Sequence, residues 1–511
     1  MNDWTSGYVA DIGYTYGYYP ELSPLRAKLA LEFNRAICPE VKTACELGFG
    51  QGVSTNYHAA SSEVEWYGTD FNPVQAAFAQ ELGGVSDAKV NLFADSFEEF
   101  LNRDGIPEFD YIGLHGIWSW ISDENRKKIV EFIDRKLKIG GVLYLSYNTF
   151  PGWATFAPMR NLMTQHADTI GAEGQGIVNR IDGALDFAQR LIKTNPLYTR
   201  ANPAILERIK KIQGQNKHYL AHEYFNKDWH PMHFSQIAKM LKPAKVDFVC
   251  SAHLIDSIPN VNLSEDQRNF LAEIPDTILR ESVRDFMINQ QFRRDYWVKG
   301  SRKMSALERN EALFNHRFLL SQNRDDISLK ISLAQGEGSL NEEIYKPILD
   351  YMSDYKIHSI RELSEGLSNA GVTPGHVLEA MMVLSTDGRV LPVNDDSIIE
   401  KVQDNCNRMN NYVINRSRSH TEMQQLLSPV AGTGIPVNRV EQFFILSLKN
   451  GITDPKQWVQ EAWKILSTQG ERLLKDGVAV ESEEENLAVL ANQASNFKEK
   501  RMHVLAALGI L

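Results

Sequence analysis

The stretch Val41-Lys-Thr-Ala-Cys-Glu-Leu-Gly-Phe-Gly-Gln-Gly52 decides how the chain is read. Val41 to Leu47 has the apolar character of a buried strand, and the glycines at 48, 50 and 52 make a turn that leads into a helix. A glycine turn lets backbone approach a ligand where a Cβ would clash, and the helix N–H groups beyond it suit polar ligands. Two nucleotide readings fail on spacing. The dinucleotide fingerprint requires its third glycine where Val53 stands, and the phosphate loop requires glycine then lysine where Val53 and Ser54 stand. What remains is an acid, Glu46, followed by G-x-G-x-G.

Outward from this stretch the first 150 or so residues alternate strand and helix. A helix is expected from Pro24 to Ile37, with Leu25, Leu29, Leu31 and Phe33 as its apolar residues. Further strands are expected at Glu65–Asp70, Lys89–Asp95, Asp110–His115 and Gly141–Tyr147. Asn72 can cap a helix opened by Pro73, and a helix from Asp123 to Leu137 is stopped by Lys138-Ile-Gly-Gly141. Units in this rhythm imply a parallel sheet with right-handed crossovers, whose ligands bind outside the carboxyl ends of the strands. The strand ends carry Asp70, Asp95 with Ser96, and His115. Asp70 is placed to accept the hydroxyls of a ribose; each aspartate reads otherwise as a plain helix cap. His115 reads either as a general base or as a hydrogen-bonding structural residue.

Glu46 with its three glycines, followed by acids on successive strand ends, resembles the first motif of class I S-adenosylmethionine methyltransferases. That resemblance implies a Rossmann-like α/β fold and S-adenosylmethionine as cofactor. It places Glu46 near the methionine amino group and Gly48, Gly50 and Gly52 where the ligand needs room. Asp70, Phe71 and Asn72 fall at the ribose, Asp95 and Ser96 at the adenine, and His115 beside the methyl group. The combination of Gly17-Tyr-Tyr-Pro-Glu-Leu-Ser-Pro24, Gly68-Thr-Asp-Phe-Asn-Pro73, Leu114-His-Gly-Ile-Trp-Ser-Trp120, Ser146-Tyr-Asn-Thr-Phe-Pro-Gly-Trp153, Leu220-Ala-His-Glu223 and Phe292-Arg-Arg-Asp295 narrows the resemblance. It is similar to bacterial enzymes that join this fold to a methyltransferase regulatory domain, among them the rickettsial protein lysine methyltransferases of outer-membrane protein B. A protein lysine is therefore the expected acceptor; the alternatives are a glycan or small molecule, or a protein that senses the cofactor.

Methyl transfer to an amine is an in-line displacement that requires a neutral nucleophile. An aromatic, partly dry pocket lowers a lysine pKa, and Tyr14, Tyr18, Trp118, Tyr147 and Trp153 are the candidates to build it. The tyrosine-rich opening is read as either a flap over the cofactor, where aromatic faces attract a cation, or a loop packed on the core. His115 and Glu223 are the candidate bases.

The remaining expectations are coarser. Five segments are expected: a cofactor-binding core (1–153), a helical insertion serving as lid or dimer contact (154–217), a regulatory segment with late strands (218–300), a winged-helix-like middle (301–404) and a helical C-terminal region (405–511). Asn405 to Ser417 reads as a linker, Asp387-Gly-Arg as a hairpin turn or wing, and Glu481–Glu485 as a solvated loop. The helix expected at Pro374–Leu384 has no lysine or arginine, and the net charge is −11, both of which argue against a nucleic-acid partner. No signal peptide or membrane-spanning run is read, and four scattered cysteines fit reduced thiols in the cytoplasm. His222, Glu223, His230 and His233 match no metal-ligand spacing, so no metal is expected. A homodimer is expected through the helical insertion.

Overall fold

Helices connect successive strands of the central sheet, so its pairing is mostly parallel and apolar side chains are buried on both of its faces. The computed structural model describes residues 15–171, 176–475 and 477–511. The strands are β1 (Thr43–Leu47), β2 (Glu65–Thr69), β3 (Val90–Phe93), β4 (Phe109–Leu114), β5 (Leu137–Asn148), β6 (Val246–Ser251) and β7 (Phe292–Lys299). They lie in the order β3-β2-β1-β4-β5-β7-β6. β1 pairs in parallel with both β2 and β4, so the strand order reverses at β1 and a crevice opens outside its carboxyl end. β7 is antiparallel to β5 and to β6. The expected strands all form, but β7 carries the Phe292-Arg-Arg-Asp295 motif and is a strand that the alternation did not reveal.

Local chemistry trims the expected boundaries. The first helix ends at Phe33 rather than Ile37, because Arg35 takes a left-handed conformation (φ 65°) and Ala36 bridges to Lys303. β5 begins at Leu137, and Lys138 to Gly141 interrupt its register with β4 between the Phe109–Leu137 and Tyr111–Val142 pairs.

The two arginines of β7 point to opposite faces, as alternation along a strand requires. Arg293 is buried and pairs with Glu281 (2.9 Å), Asp285 (2.6 Å) and Asp295 (3.0 Å), while the Tyr147 hydroxyl donates to Asp295 (2.7 Å). Arg294 pairs with Glu21 on the other side. Among the described residues, five helices between Ala157 and Tyr224 form the insertion and bury a core of their own around Phe156, Met163 and Ile209.

The C-terminal half packs against the helix that follows the glycine turn, Val53–Ala60, every residue of which is buried. Tyr57 donates to the Gln425 carbonyl (2.9 Å), and Asn394 donates to the Ser61 carbonyl (3.2 Å). Three expectations for this half are corrected. Residues 405–417 are not a linker: all but the last belong to the 21-residue helix Asp396–Arg416, whose Cys406, Met409 and Val413 are buried. The Asp387-Gly-Arg turn joins helix Pro374–Thr386 to the strand Val390–Pro392, which pairs with Arg317–Leu320 rather than forming a local hairpin. The last three residues of the acidic run, Glu483–Glu485, open helix Glu483–Asn496, where their charge complements the helix N-terminus. Among the described residues, two antiparallel strand pairs, Gln425–Ser428 with Thr433–Pro436 and Leu474–Lys475 with Val478–Ala479, also interrupt the helices of this region. Among the described residues no helix is long and apolar enough to cross a membrane.

Candidate active site

Outside the carboxyl ends of β1, β2, β3 and β4 lies a pocket of about 200 Å³. Of the residues expected to hold the cofactor, Glu46, Gly48, Gly50, Asp70 and Phe71 line it, as do Asp95, Ser96 and His115. Gly52 and Asn72 do not. A Cβ on Gly52 would stand 2.5 Å from that of Ala79, so this glycine permits close packing of helices Val53–Ala60 and Pro73–Gly83. Asn72 caps the second of these helices, its Oδ1 accepting from the Val74 N–H at 3.0 Å.

The wall of the pocket is held by hydrogen bonds. Asp70 accepts from the Gly50 N–H (2.9 Å) and the Asn72 N–H (3.0 Å). Thr55 donates to Glu46. Gly48 sits at φ 73°, and a Cβ there would meet Ile117 at 2.7 Å. Burial pushes the Glu46 carboxyl up to about 8, with Asp70 adding, and pushes Asp70 up to about 6. Two buried carboxyls beside each other with raised pKa values are prepared for a ligand that brings a cation and hydroxyl donors. On the next strand end Asp95 accepts from Nε and Nη2 of Arg103 (2.5 and 2.8 Å), and Ser96 forms a capping box with Glu99.

His115, at the end of β4, stacks on Tyr19 with centroids 3.6 Å apart, and its Nδ1 lies 2.8 Å from the Tyr144 hydroxyl. Burial pushes its pKa down to about 4, so the ring is neutral near pH 7. Behind it Glu21 is buried too. Burial alone would raise its carboxyl, but Arg294 and Arg26 hold it at about 2.

The aromatic candidates separate. Tyr14 lies outside the described residues. Tyr18 points away from the pocket; its hydroxyl bonds Thr433 Oγ1 (2.5 Å) and burial pushes it up to about 12. Trp118 and Tyr147 are core residues packed under the sheet, and Trp153 belongs to the core of the insertion, its Nε1 donating to Asn148 (3.2 Å). The structure therefore does not bring these four to the pocket, because alternation and the short helical turn at Trp118–Trp120 aim them inward. The aromatics that do line it are Tyr19, Phe49, Phe71, Phe97 and Trp120. Tyr19 is the informative omission. Its N–H donates to Ser54 Oγ (2.9 Å), its carbonyl accepts from His58 (3.2 Å), and its ring folds over Gly17, where a Cβ would stand 2.4 Å from the phenol oxygen. The Gly17-Tyr-Tyr sequence was a signal for such a fold-back, but did not say which tyrosine turns inward.

Glu223 stands on helix Lys217–Tyr224, not on the pocket wall, and burial pushes it up to about 7. Its neighbour Tyr219 is pushed up to about 12, by burial first and then by Glu223, Tyr224 and Tyr19. Among the described residues no group of three or more His, Cys, Asp or Glu is placed to hold a metal ion.

Residues 216–299 match a family model described as a predicted methyltransferase regulatory domain. The chain is 40% identical over 512 residues to a Synechocystis protein designated sll1526, covering 99% of each. It is 28% identical over 195 residues to RP028 of Rickettsia prowazekii, covering 36% of this chain and 74% of that one. Its fold is similar to that of PKMT2 from Rickettsia typhi, solved in complex with AdoHcy, with a TM-score of 0.67 and 17% identity over 96% of this chain and 99% of that chain.

Proposed function

We propose that the chain, which belongs to one family with the Synechocystis protein sll1526 and carries a methyltransferase regulatory domain over residues 216–299, is a class I S-adenosylmethionine-dependent methyltransferase that methylates lysine side chains of a protein substrate. S-Adenosylmethionine supplies an activated methyl group on a sulfonium, and the residues at the pocket fit it. Glu46 would hold the ammonium, Asp70 the ribose hydroxyls, and Asp95 with Ser96 the adenine end. The raised pKa values of the first two acids favour this assignment, since a bound cation and two hydroxyl donors relieve both.

The observation that carries the amine reading is the state of His115. It is neutral, pushed down to about 4, stacked under Tyr19 and bonded to Tyr144. So weak a base serves a hydroxyl acceptor poorly, whereas an amine that has already lost its proton needs no base at transfer. A lysine in water has a pKa of ~10.4, and the apolar faces of Tyr19 and Trp120 would lower it. Glu223, whose carboxyl burial pushes up to about 7, is the second group that could take the departing proton.

The test is to incubate the purified protein with methyl-radiolabelled S-adenosylmethionine and lysate from its own cells. Label is expected in protein, resistant to mild base and mapping to lysine; label only in glycan or small molecules overturns the reading. Replacing His115 by Ala is expected to cost under ~10-fold in rate, against ~10²-fold for a hydroxyl acceptor that relied on it. Asp70→Ala and Gly48→Val should each abolish cofactor binding, and unchanged affinity in both would remove the site assignment. The four free thiols, three of them buried, favour a cytoplasmic setting. The exposed Ile170, Leu197 and Leu206 make the insertion our candidate homodimer contact.

A further inference from the structure

A second cavity, of about 530 Å³, lies at the opposite edge of the sheet from β3. One wall is edge strand β6, through Phe248 and Val249, and the apolar lining continues with Leu263 and Leu271. Helix Thr277–Met287 closes the other side with Arg280, Glu281 and Arg284.

The charges of this cavity are unevenly settled. Arg284 is buried and neutralised by Asp256 (2.8 Å), which Asn262 and Ser251 also bond. Glu281 is committed to Arg293 outside the cavity (2.9 Å). Arg268 and Arg280 are different. Among the described residues their bonds go to neutral acceptors alone: Arg268 to Asn260 Oδ1 (2.6 Å), and Arg280 to the Ile274 carbonyl (3.0 Å) and Thr277 Oγ1 (3.2 Å). Each guanidinium has five N–H donors in a fork that matches a carboxylate. A concave site of this size, with apolar walls and arginines in its lining, has the chemistry of a small-molecule site.

We propose that this cavity binds a small organic anion, a carboxylate held by Arg268 and Arg280 with a short apolar body against Phe248, Val249, Leu263 and Leu271. It is separate from the cofactor pocket, and the claim does not depend on which acceptor is methylated. Its position gives it a route to the catalytic end. The helix that carries Arg280 also supplies Glu281 and Asp285 to Arg293, and Arg293 holds Asp295, which accepts from Tyr147 near the end of β5.

The experiment titrates the full chain, by calorimetry, with octanoate for an aliphatic body, 4-phenylbutyrate for an aromatic one, and inorganic phosphate for charge alone. Saturable binding of either carboxylate, with phosphate at least ~10-fold weaker, is expected. The double variant R268Q/R280Q should lose ~10-fold or more, the consequence of removing charge-assisted hydrogen bonds. Ala272→Trp, which sets bulk at the cavity lining and keeps both arginines, should lose binding as well. Cofactor affinity serves as the check that each variant is folded. Absence of saturable binding by both carboxylates in the wild-type chain, or undiminished binding in both variants, overturns the proposal.

Discussion

Glu46 and Glu21 are both buried glutamates on elements that build one pocket, yet they lie at opposite ends of the titration scale, at about 8 and about 2. The difference is a cation. Glu21 has Arg294 and Arg26, whereas Glu46 has a threonine hydroxyl and a second acid, Asp70. A buried charge with a fixed partner is part of the scaffold. One without a partner keeps its proton until a ligand brings the opposite charge. The region behind His115 is thus complete in itself, and the glycine-turn side is unfinished by design of its residues.

The strongest way to break the contrast is Arg294→Ala, which removes the ion pair of the buried Glu21 and leaves it only the charge of Arg26. Unfolding free energy is expected to fall by about 3 kcal/mol, and adding Glu21→Gln should restore most of it. Denaturant titration at neutral pH checks this, and an unaffected single variant would show that Arg294 is not what holds Glu21. The sign with pH follows from the lowered value: Glu21 contributes stability above pH ~4.5 that is lost as pH falls toward 2.

Glu46→Gln sharpens the contrast from the other side. Cofactor affinity should drop by about 1.5–3 kcal/mol, the worth of a hydrogen bond to a charged group. Stability should move the opposite way. With a folded value of about 8 and an ordinary value of 4.5, the stabilising preference for the protonated form is fully present below 4.5 and disappears as pH rises through 8. Stability of the parent chain therefore falls across that window, and Glu46→Gln should remove that part of the slope. Cofactor binding below pH 8 should release protons, seen as a heat that changes with the ionisation enthalpy of the buffer.

The smallest expected effect is that of Tyr18→Phe. Losing the bond to Thr433 should cost ~1 kcal/mol of stability. Because Tyr19 is the adjacent residue and lines the pocket, kcat should fall more than cofactor affinity. Equal loss in both would point to a general loosening of the fold.

The strand-end wall of the pocket was legible because each of its signals is local. Alternating strand and helix predicts a parallel sheet, and a parallel sheet puts Glu46, Asp70, Asp95 and His115 at neighbouring strand ends whatever the rest of the chain does. Gly48 and Gly50 carry their reason in their own backbone, with φ 73° and 58°. Gly52 shows where local logic stops, since what it must avoid is Ala79 on another helix. The aromatic side of the pocket was less legible for the same reason. Tyr18 and Tyr19 are adjacent and chemically alike, and only the position of Thr433, Ser54 and His115 determines which one turns inward. Trp118 and Trp120 divide in the same way, one buried in the core and the other on the pocket wall.

The order of residues alone determined the α/β class of the core, the strand that leads into the glycine turn and the acids that await a ligand, since these depend on periodicity and on backbone sterics over a few residues. Tertiary structure decided the antiparallel place of β7, the helix that replaces the expected linker at 405–417, and the burial of Val53–Ala60 by the C-terminal half. It also decided which carboxyls are paired and which are not. A pKa and a pocket wall depend on groups hundreds of residues apart, as Glu21 and Arg294 are, and no local pattern in the chain encodes their meeting.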